Sequence, residues 1–513
     1  MFSHLLSATT YGIKAHLVQV ETHIATSLPS FSVVGLPDNA VRESRERVYA
    51  ALKTSGFLFP RHRLTVNLAP ADLKKEGSAF DLPIAVGLLA ASDQISGELL
   101  DRYVILGELA LDGKLRPVHG VLPIAAEVKR LNIRGMILPR ENAREAAMVE
   151  GIDIYPMETL RDTASFFDGR RDLFTPYRVD LDAVFGRNER CTLDFAEVKG
   201  QEAVKRALEV AAAGAHNIIM IGPPGSGKSM LAKRLPTIMP PLTFPEAIET
   251  TMIHSVAGLL PQDTALITER PFRSPHHTIS DSALVGGGMT PRPGEISFAH
   301  FGVLFLDELP EFRRNVLEVL RQPLEDNHVT ISRSRISVEY PANFMLVCAM
   351  NPCLCGNYTD PSKECTCTPV QIQKYMAKIS GPLLDRIDLH IEVPAVKYKE
   401  LASKDTGESS QQIRGRVISA REVQMKRFVG RKGMYCNADM QSKDIQNFCK
   451  LDSAGEELLK MAITKLGLSA RAYDRILKVA RTIADLSASS SIQPQHISEA
   501  IQYRSLDRNL WRT

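Results

Sequence analysis

The sequence predicts an α/β protein: a P-loop parallel sheet closed by a helical lid and preceded by a separate α+β domain. Three observations predict it. Apolar runs of strand length alternate with helix-like stretches along most of the chain. The run His216–Ile221 leads straight into a glycine-rich turn and then a helical segment. From about residue 440 the apolar residues recur at helical spacing.

The elements follow in order. Residues 1–170 form the first domain: Leu64–Pro70 is an apolar strand and Asp81–Ser92 a helix. Tyr103–Gly113 is strand and turn, Pro123–Leu131 a helix, and Gly135–Pro139 another strand. Residues 171–190 are polar and weakly patterned, which predicts a linker. Residues 191–395 form the nucleotide-binding core, with a helix over Glu202–Ala213 and strands at Asn217–Ile221, Val303–Asp307 and Asn343–Ala349. Residues 396–440 are linker and helix, because Lys397–Ser410 turns strongly polar and reads as a mobile connection. Residues 441–513 are the helical lid, where Ile476, Ala480, Ile483 and Leu486 fall near one helix face.

A chain of 513 residues holds about three folding units. Its net charge of +3 is too small to argue a nucleic-acid surface, so any such surface is a local patch. The longest apolar run, Leu82–Ala91, falls short of the ~18 residues of a membrane span. The first residues lack the basic flank and long apolar stretch of a signal peptide. This reading excludes a membrane or secreted protein and expects a cytoplasmic one. Eight cysteines are too few for a disulfide scaffold, and four of them fall between Cys353 and Cys367, which favours a metal.

The chemistry begins at Gly222-Pro-Pro-Gly225-Ser226-Gly227-Lys228-Ser229, which fits the pattern G-x-x-x-x-G-K-[ST] between a strand and a helix. Glycines let the backbone curl so that its N–H groups face phosphates at the positive end of a helix. Gly222, Gly225, Ser226 and Gly227 then cradle ATP, Lys228 reaches its outer phosphates, and the Ser229 hydroxyl ligates Mg²⁺. The apolar run Val303–Leu306 ends in Asp307-Glu308, an acid pair delivered to the sheet edge beside such a loop. Asp307 is expected to hold Mg²⁺ through water, and Glu308 to orient or deprotonate the attacking water.

With these motifs, and with Phe195–Leu208 ahead of the loop, the sequence resembles the AAA+ ATPases, in the branch of the magnesium chelatase ATPase subunit and the MCM helicases. The resemblance implies that Asn351 is the polar sensor near the terminal phosphate. It implies that Arg386, in Ser380–Asp388, is an arginine finger and Arg471 the second sensor arginine of the lid. A structural ion pair of Arg386 with Asp385 or Asp388 is the alternative, and Arg475 and Lys478 on the Arg471 face also read as solvated charges. Nearly the whole chain is similar to the ComM/YifB family of magnesium chelatase-like ATPases, through Phe272–Gly288, Pro291–Phe312, Ser380–Asp388 and Leu468–Leu486. That resemblance implies a hexameric DNA motor, a helicase or branch-migration translocase acting in natural transformation, with recombination proteins as possible partners. The competing reading is a chelatase-like motor acting on a protein partner without DNA.

Residues 1–170 resemble the proteolytic domain of Lon proteases, most closely over Gly107–Asn142. The family's serine position falls on Ala79, with Ser78 one register off, and its lysine position on Leu122, so no Ser–Lys dyad is expected. Arg61, Arg63, Lys74 and Lys75 suggest a basic rim or a solvated face.

Cys353, Cys355, Cys365 and Cys367 are spaced to surround one structural Zn²⁺, with free thiols or a redox role as alternatives. Residues 327–344 alternate like a hairpin with Arg333 and Arg335 at its tip, suited to DNA phosphates; a plain exposed tip is the alternative. Gly286–Arg292 is a second candidate pore loop. His276 and His277 have no assigned role.

Overall fold

The computed structural model describes residues 1–181, 193–261, 264–288, 291–333, 336–358, 360, 363–396, 407–431, 433–466, 469–504 and 506. The chain divides into two units: Met1–Asn188 with Phe244–Thr268, and Glu189–Thr243 with Glu269–Thr513. The segment 244–268, expected inside the nucleotide-binding core, therefore clusters with the first unit. Its helix Phe244–Ala257 turns Ser255 toward the buried Glu145 and donates to it.

The first unit is built on a seven-stranded mixed sheet in the order Ser30–Val34, Arg63–Ala69, Lys14–Ala25, Phe2–Tyr11, Tyr103–Ile105, Gly135–Pro139, Asp153–Met157. Phe2–Tyr11 and Lys14–Ala25 pair antiparallel around a tight turn at Gly12 (φ 60°), a left-handed position that suits glycine. The helix Asp81–Ala91 is buried almost all round, and Gly87 lets it approach the sheet: a β-carbon there would stand 2.6 Å from Thr22 Oγ1. At the Lon-like lysine position Leu122 is fully buried in the first turn of the helix Val121–Arg130, and Ser78, one residue before the serine position Ala79, donates to Glu108. Of the four candidate rim residues, Arg61 and Arg63 are exposed, but Lys75 is not part of any surface. Lys75 is fully buried with its ammonium on the Pro70 carbonyl, and Lys74 pairs with Glu76 at 2.5 Å.

The second unit holds a five-stranded parallel sheet in the order Phe272–Arg273, Val303–Leu306, Met345–Met350, Ile218–Ile221, Leu389–Glu392. The three central strands are buried along their whole length, as apolar runs covered on both faces should be. Helices Glu202–Gly214, Lys228–Ile238, Ser410–Arg427 and Ala470–Leu486 share one core with this sheet. Ser410–Arg427 lies in the stretch expected as linker and helix, yet it buries Ile413, Val417 and Ala420 in that core. This i, i+4, i+7 stripe is sparse, and the charged neighbours and the exposed Val423 and Met425 mask it in the sequence. In Ala470–Leu486, Ile476, Ala480 and Ile483 are buried, as their spacing predicts. Cys436 and Cys449 are buried packing residues.

Candidate functional site

The strand Ile218–Ile221 ends in the glycine loop, and the helix Lys228–Ile238 starts at its last lysine. Glycine is needed at Gly225, whose φ is 77°, and at two further positions. Gly227 precedes the helix at φ 87°, and at Gly222 a β-carbon would stand 2.1 Å from the Val393 carbonyl oxygen. Gln201 braces the loop from outside, donating from Nε2 to Ser226 O and Pro394 O at 2.9 Å each. It lies within the approach segment Phe195–Leu208, but nothing in its spacing singles it out.

Lys228 is 8% exposed and donates to Gly222 O at 2.8 Å, Pro223 O at 2.9 Å and Asn351 Oδ1 at 3.2 Å. Burial pushes its ammonium down from the ordinary value, with Asp307 opposing. A buried cation bonded to neutral oxygens beside curled backbone fits a polyphosphate, which would replace those acceptors with charged ones. Ser229 Oγ donates to Asp307 Oδ2 at 2.5 Å, so a hydroxyl and a carboxylate meet as a hard-oxygen pair of the kind Mg²⁺ takes. Glu308 follows in a left-handed backbone conformation, φ 53°, with its N–H on Asp307 Oδ1 at 2.9 Å. Lys228, Ser229, Ser226, Asp307, Glu308 and Asn351 thus gather at the C-terminal ends of the parallel strands.

Arg386 and Arg471 do not join them. Asn217, at the opposite end of the strand Ile218–Ile221, donates from Nδ2 to the Arg386 carbonyl at 3.1 Å. Its backbone N–H meets Asp388 Oδ2 at 3.0 Å. About 13 Å of strand therefore separates this edge from the loop. The Arg386 guanidinium pairs with Glu325 and donates to Pro382 O at 2.6 Å, so its partner is neither Asp385 nor Asp388. Asp388 is taken by Arg475 and lies 3.5 Å from His216 Nδ1. Burial opposes its ionisation, but Arg475 and His216 outweigh it and hold the carboxyl well below the usual range. Arg475 and Lys478 are accordingly not plain solvated charges; Lys478 donates to Ala438 O at 2.7 Å. Burial also pushes the Arg386 guanidinium down, and the nearby charges of Arg471, Arg321 and Arg475 add to it against Glu325. Arg471 itself is exposed in the first turn of Ala470–Leu486.

The cysteine loop follows Asn351 directly. Sγ separations are 3.3 Å for Cys353–Cys355, 3.7 Å for Cys353–Cys365 and 3.6 Å for Cys355–Cys365, with Cys367 Sγ accepting from Cys355 N–H at 3.4 Å. A tetrahedron of zinc–sulfur bonds at ~2.3 Å sets its sulfurs about 3.8 Å apart. A disulfide would need ~2.05 Å. The four sulfurs fit one tetrahedral ion, with no sulfur pair close enough to be a bond. The backbone N–H of Asn357, with Cys353 next, draws the Cys355 thiol down to about 5, which favours the thiolate a metal takes. Gly356 presses on the phosphate loop: a β-carbon there would stand 2.5 Å from Pro224 Cδ.

The strands His328–Arg333 and Ile336–Pro341 form the expected hairpin. Arg335 and the side chain of Arg333 lie outside the described residues. The second candidate loop abuts this hairpin: a β-carbon on Gly286 would meet Ile331 Cδ1 at 2.6 Å, and Tyr340 OH donates to Pro291 O at 2.8 Å. Among the described residues no helix is long and apolar enough to cross a membrane.

The family described as "Magnesium chelatase, subunit ChlI" matches residues 194–401, and "Magnesium chelatase, subunit ChlI C-terminal" matches 407–504. "Subunit ChlI of Mg-chelatase" matches residues 20–142, so the first domain does not separate this chain from chelatase-type proteins. "Competence protein ComM" of Haemophilus influenzae is 46% identical over 98% of this chain and 97% of its own length. "Uncharacterized protein YifB" of Salmonella typhimurium is 45% identical over 97% of this chain and 96% of its own. The Escherichia coli YifB is 44% identical over the same shares. With these family models matching most of the chain and about 45% identity over nearly its full length, the chain belongs to the ComM/YifB family of magnesium chelatase-like AAA+ proteins.

Proposed function

We propose that this protein is an ATP-driven, ring-forming DNA motor, a hexameric helicase or branch-migration translocase that remodels single-stranded or branched DNA. The observation that carries the reading is the split site: Lys228, Ser229, Asp307, Glu308 and Asn351 stand at one edge of the sheet, Arg386 at the other. A finger on the far edge cannot reach its own chain's phosphates, so a complete centre needs a neighbouring copy. Bound ATP with Mg²⁺ supplies the hydrolysable phosphoryl bond and neutralises part of its charge. Lys228 and the loop N–H groups bind the phosphates, Ser229 and Asp307 would hold the metal, and Glu308 orients the attacking water. Asn351 contacts the terminal phosphate, and the neighbour's Arg386 and Arg471 meet the charge that develops on it. Cys353, Cys355, Cys365 and Cys367 would hold a structural Zn²⁺ and so brace the loop that follows Asn351.

The DNA part rests on the two abutting insertions, the hairpin and the Gly286–Arg292 loop, and on the name of the competence protein to which the chain is similar. DNA uptake in transformation, with recombination proteins as partners, follows from that likeness. A second reading, a chelatase-like motor working on a protein partner without DNA, is favoured by the family descriptions, each of which names the chelatase subunit. Phosphate release measured with and without forked or single-stranded DNA separates the two. The motor reading expects DNA to raise turnover severalfold, with the gain shrinking as salt rises. A rate indifferent to DNA at every salt concentration would leave the second reading standing.

A further inference from the structure

Cys348, Cys436 and Cys449 are buried, but of the four clustered cysteines only Cys353 is; Cys355, Cys365 and Cys367 stay partly open to solvent. Exposure decides which sulfurs a small oxidant can reach, and it singles out the cluster. The separations suit bond formation as well as ion binding. Cys353 and Cys355 Sγ are 3.3 Å apart, Cys355 and Cys365 3.6 Å, and all four sulfurs lie within 4.8 Å of one another. Both ends of the cluster touch groups that meet the nucleotide. Gly356, next to Cys355, lies on the phosphate loop, where a β-carbon would stand 2.5 Å from Pro224 Cδ. Cys367 precedes Thr368, the cap of the helix Pro369–Met376, and Tyr375 of that helix meets the Asn351 backbone N–H with its hydroxyl. Asn351 in turn accepts from Lys228 at 3.2 Å.

We propose that the four cysteines are a site of reversible oxidation, at which a peroxide turns nucleotide binding off. This rests on the zinc reading above. A thiolate sulfur attacks one peroxide oxygen and breaks the O–O bond; the sulfur becomes a sulfenic acid and the other oxygen leaves as hydroxide. A neighbouring thiolate then attacks that sulfur, forming the S–S bond and expelling the sulfenic oxygen as a second hydroxide. Each hydroxide takes a proton to become water. Each sulfur gives up one electron and the peroxide takes two, so two thiolates, one peroxide and two protons become one disulfide and two waters. Disulfide sulfurs carry no charge to hold an ion, so the cluster releases it. Closing Cys353 on Cys355 from 3.3 Å to ~2.05 Å moves the sulfurs by about 1.3 Å. Cys355 is followed by Gly356, which has no room to spare against Pro224, and Cys353 stands two residues from Asn351. The closure therefore reaches the phosphate loop and the sensor together. A thiol reductant reverses the bond by exchange, and added zinc restores the site.

Hydrogen peroxide titrated onto the full-length protein tests it. Zinc release is read with a chromogenic chelator, disulfides by non-reducing peptide mapping, and affinity with a non-hydrolysable ATP analogue, all on the same samples. The expected result is that about one equivalent of zinc leaves as disulfides appear among Cys353, Cys355, Cys365 and Cys367. Affinity for the analogue should fall in step by about tenfold, the worth of one charge-assisted hydrogen bond to a phosphate. Dithiothreitol with zinc should restore both. Recovery by a thiol tells the cluster from oxidised methionine, which needs its own reductase. Disulfides and zinc loss with unchanged affinity overturn the proposal, as does a cluster that keeps its zinc under peroxide, or an affinity loss that dithiothreitol and zinc do not reverse. Elemental analysis before the oxidant separates the two levels of argument. A reduced protein without zinc removes the zinc reading and the switch with it, whereas a zinc-loaded protein indifferent to peroxide removes the switch alone.

Discussion

Arg386 carries the largest functional claim of any single residue, and its surroundings let catalysis be told apart from stability. Its partner Glu325 is half exposed, so losing the pair costs about 1 kcal/mol at most after solvent screening. A finger guanidinium, by contrast, is worth about 10³–10⁵ in rate. Arg386→Ala should therefore melt within a few degrees of the wild type and bind ATP normally, while phosphate release falls by about a thousandfold. Calorimetry, nucleotide binding and turnover on one preparation check this, and a turnover loss below tenfold removes Arg386 from the finger role. The residues legible in the sequence were those whose chemistry sits in consecutive positions, such as Gly222–Ser229 and Asp307-Glu308. Gln201 escaped because it acts on partners far along the chain, Ser226 O and Pro394 O, brought close only by folding. Lys75 misled for the converse reason: a charged residue in a polar run looks solvated until the chain closes over it.

At the scale of elements, the cysteine loop is the one whose loss has a readout at another element. Gly356 lies on Pro224 and Cys353 follows Asn351 closely, so the cysteine loop adjoins both the Gly222–Ser229 loop and Asn351. Cys355→Ser with Cys367→Ser removes two of four sulfurs, and the purified protein should lose about one equivalent of zinc by elemental analysis. Affinity for a non-hydrolysable ATP analogue should weaken with it, because the loop no longer supports Pro224 and Asn351. Zinc retained in the double variant would mean that the cluster is not its site; zinc lost with unchanged affinity would mean that the loop folds without it. The central strands were legible because a strand buried on both faces is a run of apolar residues. Ser410–Arg427 was not, since its three buried apolar side chains are diluted by polar and charged neighbours, Arg416 with its bonds to Glu209 and Glu408 among them. The paired strands Phe2–Tyr11 and Lys14–Ala25 were also missed: their polar and apolar residues mix too evenly for alternation to stand out.

Across the whole molecule, the decisive feature is that one sheet presents its phosphate-binding loop and its arginines at opposite ends. A parallel sheet has this polarity by construction: the loops after the strands bind ligand, and whatever lies before them faces away. The buried network from Asp388 through Arg475 and His216 to Thr482 fixes the arginine edge to the lid helix as one piece. Movement of the lid would therefore carry Arg471 and the Arg386 segment together, a way for one copy's nucleotide state to be felt by the next. Mixing two inactive variants tests this directly. Lys228→Ala lacks a working cradle but keeps its arginines; Arg386→Ala lacks the finger but keeps its cradle. If sites form between copies, a mixed ring contains junctions with an intact cradle on one side and an intact arginine on the other. ATP turnover should then appear on mixing, peak near equal proportions, and vanish on dilution below the assembly concentration. If each chain completed its own site, every junction in the mixture would be defective and no ratio of the two variants would hydrolyse ATP.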